Sequence, residues 1–185
     1  MRFLKLISSP LLIIFLSTAP QSLKDFARDG LSFSYPSGWT LQDTSSADKQ
    51  EMTLARADSD AQIRIFVYRS KIGTPERMAE AKTKLVEPYI QSNFNTFQRM
   101  GGKPERAPVT SEIGGAKAEG VRIRAVLEGE SGAADTYWAL LGERLVVMTF
   151  FGPDKAMKQM SSTWDTVRNS LKIEVPKPTP AASPK

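Results

Sequence analysis

The chain contains no cysteine and no histidine. Without thiols there is no disulfide, no thiolate nucleophile and no lipid anchor on a leader cysteine, and without imidazole there is no Ser-His-Asp or Cys-His machinery and no His-based metal site. Missing cysteines do not fix the compartment, because a chain with 41% hydrophobic residues has enough apolar surface to fold without cross-links. Net charge is also scarce over the body of the chain. Of the formal +5, Arg2 and Lys5 lie near the start and Lys177 and Lys185 near the end, which leaves +1 for everything between them. That is too little for a footprint on a phosphate backbone, so nucleic acid is set aside as a partner. No phosphate-cradling glycine loop is present either.

Long hydrophobic runs are absent as well. The longest, Leu6 to Leu16, is interrupted by Pro10 and falls short of the ~20 residues a membrane-spanning helix needs. It follows the basic Arg2 and Lys5 and precedes the small residues Ser17-Thr18-Ala19, the order of a secretory leader. Residues 1–22 are therefore expected to act as a signal peptide, with Pro20 just after the cut, or as an uncleaved signal anchor that tethers the protein to a membrane. Residues 175–185, "VPKPTPAASPK", hold four prolines and no large apolar residue after Val175. This composition predicts an extended, solvated tail, which leaves residues 23–174 as one domain.

Within that domain, Leu31, Phe33 and Tyr35 alternate with serines, the period-two pattern of a strand with one buried face. Tyr35-Pro36-Ser37-Gly38 reads as a turn with Pro36 in its second position, leading to a second strand through Trp39 and Leu41. Tyr35 and Trp39 are expected to close the end of the core across that corner. Met52 and Leu54, then Ile63, Ile65 and Val67, then Val121, Ile123, Ala125 and Leu127 repeat the alternation. The run "TYWALLGERLVVMTFF" predicts a hairpin turning at Gly142-Glu143, apolar on both faces and thus central in its sheet.

Apolar residues from Pro75 to Met100 recur at three- and four-residue steps, predicting a long helix capped by Thr74, kinked or split at Pro88 and ended by Gly101-Gly102. A second helix is predicted from Lys155 to Leu171, with Met157, Met160, Trp164, Val167 and Leu171 on one stripe. Strands joined by short turns imply a mostly antiparallel sheet, and the two helices must cover its faces, so the fold class is α+β.

Motifs for chemistry are weak. Ser46-Ala47-Asp48-Lys49 matches Ser-x-x-Lys but sits in a polar loop without the companion motifs. Asp58-Ser59-Asp60 starts like a calcium loop, yet Ile63 stands where the sharp turn needs glycine, and a hairpin turn explains it better. Gly129-Glu130-Ser131-Gly132 resembles a nucleophile elbow with no base to serve it. Glu128, Glu130 and Asp135 cluster in sequence and read as solvated carboxylates, with acid-base work as the competing reading. Arg64, Arg122 and Arg124 fall on polar faces of strands. If those strands are neighbours, the three form a basic patch able to hold a carboxylate or an acidic partner; otherwise they belong to a solvated face. No cofactor and no metal site are expected.

Taken in order, Phe33-x-Tyr35-Pro36-x-x-Trp39, Gly114-Gly115-x-x-Ala118, the "YWALLGERLVVMTF" hairpin and Trp164-x-x-Val167-x-x-Ser170-Leu171 resemble the PsbP-like superfamily, which includes PsbP and DcrB-like domains. The resemblance runs from about Leu31 to Ile173. It implies an α/β/α sandwich around an antiparallel sheet and a binding or assembly module rather than an enzyme, and it transfers no partner. With the leader, the chain is expected to be exported to the periplasm or another extracytoplasmic space, and a protein or membrane-associated complex is the expected partner. A histidine-dependent metal role known in plant PsbP has no residues here to support it. Two alternatives stay open: a small-ligand carrier or histidine-free hydrolase using a cleft beside the sheet, and a photosystem II extrinsic factor.

Overall fold

A computed structural model describes residues 22–174. The expected leader, apart from Ser22, and the proline-rich tail lie outside the described residues. Ten strands and four α-helices follow one another as β1 (Leu23–Arg28), β2 (Leu31–Pro36), β3 (Thr40–Asp43), β4 (Lys49–Arg56), β5 (Ser59–Lys71), α1 (Pro75–Ala81), α2 (Glu87–Arg99), β6 (Glu105–Ile113), β7 (Ala116–Leu127), β8 (Glu130–Leu141), β9 (Arg144–Pro153), α3 (Asp154–Gln159), α4 (Ser161–Ser170) and β10 (Lys172–Ile173). Seven strands form one antiparallel sheet in the order β3-β4-β5-β9-β8-β7-β6, and β1-β2-β10 form a second, small one.

Two apolar layers hold this arrangement together. On one face of the large sheet, Ile63, Ile65, Val146, Met148 and Tyr137 pack against Leu31 and Phe33 of β2 and against Met157, Met160 and Trp164 of the last two helices. On the other face, Phe66, Val147 and Trp138 pack beneath Val86 and Ile90. The result is the expected α/β/α sandwich, with the β8–β9 hairpin buried at its centre on both faces.

Short hairpins dictate this topology. Asp29-Gly30, Gly114-Gly115, Glu128-Gly129 and Gly142-Glu143 each place two successive residues at positive φ, the geometry that matches the twist of antiparallel strands. The Pro36 corner differs from its expected form. Trp39 N–H donates to Pro36 O at 3.0 Å, so proline opens the turn rather than filling its second position, and β2 and β3 diverge into different sheets. Trp39 is buried, while Tyr35 pairs with Phe33 at 6.0 Å between ring centroids instead of with Trp39.

Each predicted helix is interrupted. Thr74 caps α1, its hydroxyl accepting from Arg77 N–H. Pro88 cannot donate to Lys84 O and its ring would strike that carbonyl, so the backbone widens into a π-helical turn over Lys82–Val86 before α2 begins, with Glu87 N–H reaching Lys82 O. The later helix breaks at Met160, where φ is −98° and ψ is 7°. The Ser161-Ser162-Thr163 run that follows suits a helix start better than an interior, and Ser161 Oγ donates back to Lys158 O at 3.0 Å. The stripe survives the break, since Met157, Met160, Trp164, Val167 and Leu171 are all buried.

Candidate functional site

Four α2-facing positions of β8 diminish in bulk toward its start, from Trp138 through Thr136 and Ala134 to Gly132, which has no side chain. Near Trp138 the sheet fills the space below α2, but near Gly132 there is nothing to fill it. A cleft of about 830 Å³ opens there, within the roughly 300–1,000 Å³ span of ligand-binding clefts. Its roof is one stripe of α2: Tyr89, Ser92, Asn93, Thr96, Phe97 and Met100. These lie at steps of three and four residues and so share a helix face. The floor is Arg64 of β5, Phe151 of β9 and Ala134, and Leu127 of β7, Glu128 of the β7–β8 turn, and Glu130 and Ser131 of β8 stand at the mouth.

Several contacts hold the roof over the sheet. Tyr89 packs edge-on against Phe66 at 4.9 Å, which closes the cleft from the core beside it. Arg106 of β6 lies over the Phe94 ring at 4.4 Å and donates to Gln91 at 2.7 Å. Upstream, Lys82 lies over Trp138 at 5.0 Å and reaches Glu119 at 3.2 Å. Below the helix, the Thr136 and Thr149 hydroxyls bond to each other at 3.1 Å in the same cross-strand row as Arg64. That row separates the filled apolar layer from the open end.

The three arginines do not form one patch. Strands β9 and β8 stand between β5 and β7, and the side-chain parity differs, so Arg64 faces α2 while Arg122 and Arg124 face α3 and α4. Arg122 binds both oxygens of Asp135, each at 2.6 Å, and Arg124 reaches Asp154 at 3.0 Å. Their charges are already matched inside the chain. Arg64 is different: its guanidinium lies over the Phe151 ring at 5.0 Å, and among the described residues it has no carboxylate within ion-pairing distance.

Asp135 likewise parts from Glu128 and Glu130, because it is buried on the far face while they stand exposed at the cleft mouth. Gly129 closes the β7–β8 turn, and Glu130, Ser131 and Gly132 open strand β8. Lys49 is committed to Glu51 at 2.7 Å and to the Phe66 ring at 4.7 Å, so Ser46 and Lys49 make no dyad. Among the described residues no three carboxylates gather as a metal site. Asn93 and Met100 were not legible as site residues from the stripe alone; the polar Ser92, Asn93 and Thr96 within an apolar face were the available signal. The Asn93 side-chain nitrogen is buried and has no hydrogen-bond partner among the described residues.

No family model matches the sequence, and no curated protein matches it. Solved structures do. The cyanobacterial PsbP (CyanoP) of Synechocystis sp. aligns over 88% of this chain and 99% of its own, at 15% identity and a TM-score of 0.51. The fold is PsbP-like. A protein of Bacteroides thetaiotaomicron aligns over 82% of this chain at 13% identity and a TM-score of 0.53, and the match spans about half, 48%, of that longer protein. LpqN of Mycobacterium tuberculosis, involved in cell envelope biogenesis, aligns over 86% of this chain and 88% of its own at 11% identity, with a TM-score of 0.43, which carries no weight for function. A PsbP-like layout at such identities fixes the architecture and leaves function to the side chains in the cleft.

Proposed function

We propose that this chain is an exported, non-catalytic binding domain of the cell envelope and that the cleft beneath α2 is where it binds. The observation that carries the reading is the cleft itself: about 830 Å³ with aromatic and aliphatic walls, one arginine without an ionic partner and one buried amide nitrogen without any among the described residues. Such a surface holds a ligand by apolar contact and orients it by few polar groups. Of the three carboxylates weighed for acid-base work, Asp135 is bound to Arg122 on the opposite face, while Glu128 and Glu130 stand exposed at the cleft mouth. Export rests on the leader composition of residues 1–22, and no described helix is long and apolar enough to cross a membrane.

The test is to isolate the full chain from the envelope of its own host and examine it by native mass spectrometry. A small molecule that co-purifies, leaves on denaturation and is lost from a Thr96→Trp variant supports the reading. Thr96 is exposed on the roof, so the indole blocks the cleft without disturbing the core. A protein that carries only protein partners, captured equally by Thr96→Trp, overturns the cleft as the site. A cytoplasmic chain that keeps Met1 overturns export.

A further inference from the structure

We infer that the cleft takes a long-chain amphiphile bearing a single carboxylate, with the head group on Arg64 and the tail running toward Met100. This rests on the cleft being the binding site and names the chemistry it selects. The Arg64 guanidinium lies over the Phe151 ring, 5.0 Å from its centroid, a cation–π contact that helps to hold it in place. With no carboxylate in ion-pairing distance among the described residues, its N–H donors remain for a ligand, and the guanidinium fork matches a carboxylate in bidentate fashion. Arg64 is half-buried on the floor, so a charge-assisted bond made there is less screened than one at an open surface. On the roof, Asn93 also lines the cleft, and its amide nitrogen is buried without a partner among the described residues, so a rotation of the side chain brings it toward a bound carboxylate as a further donor.

Away from Arg64 the walls turn apolar through Phe97, Ala134 and Leu127. Met100, 60% exposed, ends the roof with a flexible, polarizable side chain that adapts to tails of different length. Glu128 and Glu130 stand at this same end. They oppose a second negative charge, which disfavours dianions and phosphate-rich ligands and leaves a monoanion with an uncharged tail. Arg64 at the β5 side and the glutamates at the β7 side thus give the cleft a polarity that orients the ligand in one direction.

Calorimetric titration of the full chain with dodecanoate, dodecanol, dodecylammonium and hexanoate tests this. Dodecanoate is expected to bind at least ~10-fold tighter than dodecanol, the effect of one charge-assisted bond. Each methylene removed toward hexanoate is expected to weaken binding about fourfold. Arg64→Gln should lower dodecanoate affinity about tenfold and leave dodecanol unchanged. Because Arg64 lies outside both apolar layers, the variant is expected to fold, and its circular dichroism and unfolding midpoint check that. If dodecanol or dodecylammonium binds as tightly as dodecanoate and Thr96→Trp abolishes that binding, the acidic-amphiphile assignment is overturned while the cleft remains the binding site. If none of the four binds, or if Arg64→Gln leaves dodecanoate affinity intact, the assignment is overturned, and the co-purification test then decides the fate of the cleft separately.

Discussion

Arg122 and Asp135 face each other across β7 and β8 and share two hydrogen bonds of 2.6 Å each. The Asp135 side chain is only 8% exposed, whereas that of Arg122 is 43% exposed. These bonds raise the arginine's proton affinity above its ordinary value, against the pull of burial. Removing the arginine strands a buried carboxylate, but solvent reaching the guanidinium reduces the loss below the ~3–5 kcal/mol of a fully buried pair. Arg122→Gln is expected to destabilise the fold by about 1–3 kcal/mol in urea unfolding. Adding Asp135→Asn should recover part of that loss. Additive effects in the double-mutant cycle would show that the pair is not coupled.

The fate of the three arginines shows where sequence reading stops. Alternation along β5 and along β7 is visible in "IRIFV" and "VRIRAVL", so each arginine was correctly put on the opposite side of its strand from the neighbouring isoleucines. Which side faces α2 depends on long-range pairing through β9 and β8, and a one-residue change of register inverts it. Local signals fared better. The β8–β9 hairpin, the Thr74 cap and the buried stripe of the last helices all followed from turn chemistry and period. Strand β6, "ERAPVTSEI", escaped because an edge strand buries little and carries proline and charges that discourage further pairing. Strand β1 escaped although the Asp29-Gly30 turn signal beside it was present. As for the cleft, the graded series Trp138, Thr136, Ala134, Gly132 is written in the sequence, but its meaning appears only once α2 is known to lie above it.

Gly120 shows how tightly β7 and β8 are fitted. A Cβ placed there would come within 2.6 Å of Tyr137 Cδ1 and 2.7 Å of Thr136 O, and the second of these is backbone that cannot step aside. Gly120→Ala is expected to destabilise by about 1–3 kcal/mol through overpacking. Gly38→Ala is the control, since nothing lies within 4 Å of its added carbon. It should change stability by less than about 0.5 kcal/mol. Equal unfolding midpoints for the two variants would contradict the close approach.

Stability is expected to fall under alkaline conditions for an identifiable reason. Burial raises the pKa of Tyr137, with Asp135 adding to the effect and Arg122 and Arg168 opposing it. Burial likewise raises Tyr68, helped by Glu51. In the unfolded chain a tyrosine ionises near ~10, so above that pH the unfolded state sheds a proton that the folded state keeps. The tyrosines' contribution is therefore complete below about pH 10 and is lost as pH rises through their raised folded values. Tyr137→Phe keeps the ring against Trp164, 5.9 Å away, and removes the ionisable group. Its unfolding free energy should decline less steeply above pH 10 than that of the parent, and identical slopes would assign the alkaline loss to other groups.

Asn93 offers a test in which stability and binding move in opposite directions. Its side-chain nitrogen is buried without a partner among the described residues, a desolvation loss of about 1–3 kcal/mol. Leucine has nearly the same shape and no polar atoms, so Asn93→Leu is expected to raise the unfolding free energy by roughly 1 kcal/mol in the absence of ligand. The same change removes a donor from the cleft roof and should weaken dodecanoate binding while sparing dodecanol. A protein that gains stability and loses preference for the carboxylate has traded one for the other at a single atom. If Asn93→Leu is instead destabilising, the amide already has a partner in solution, and the polar end of the cleft reduces to Arg64 alone.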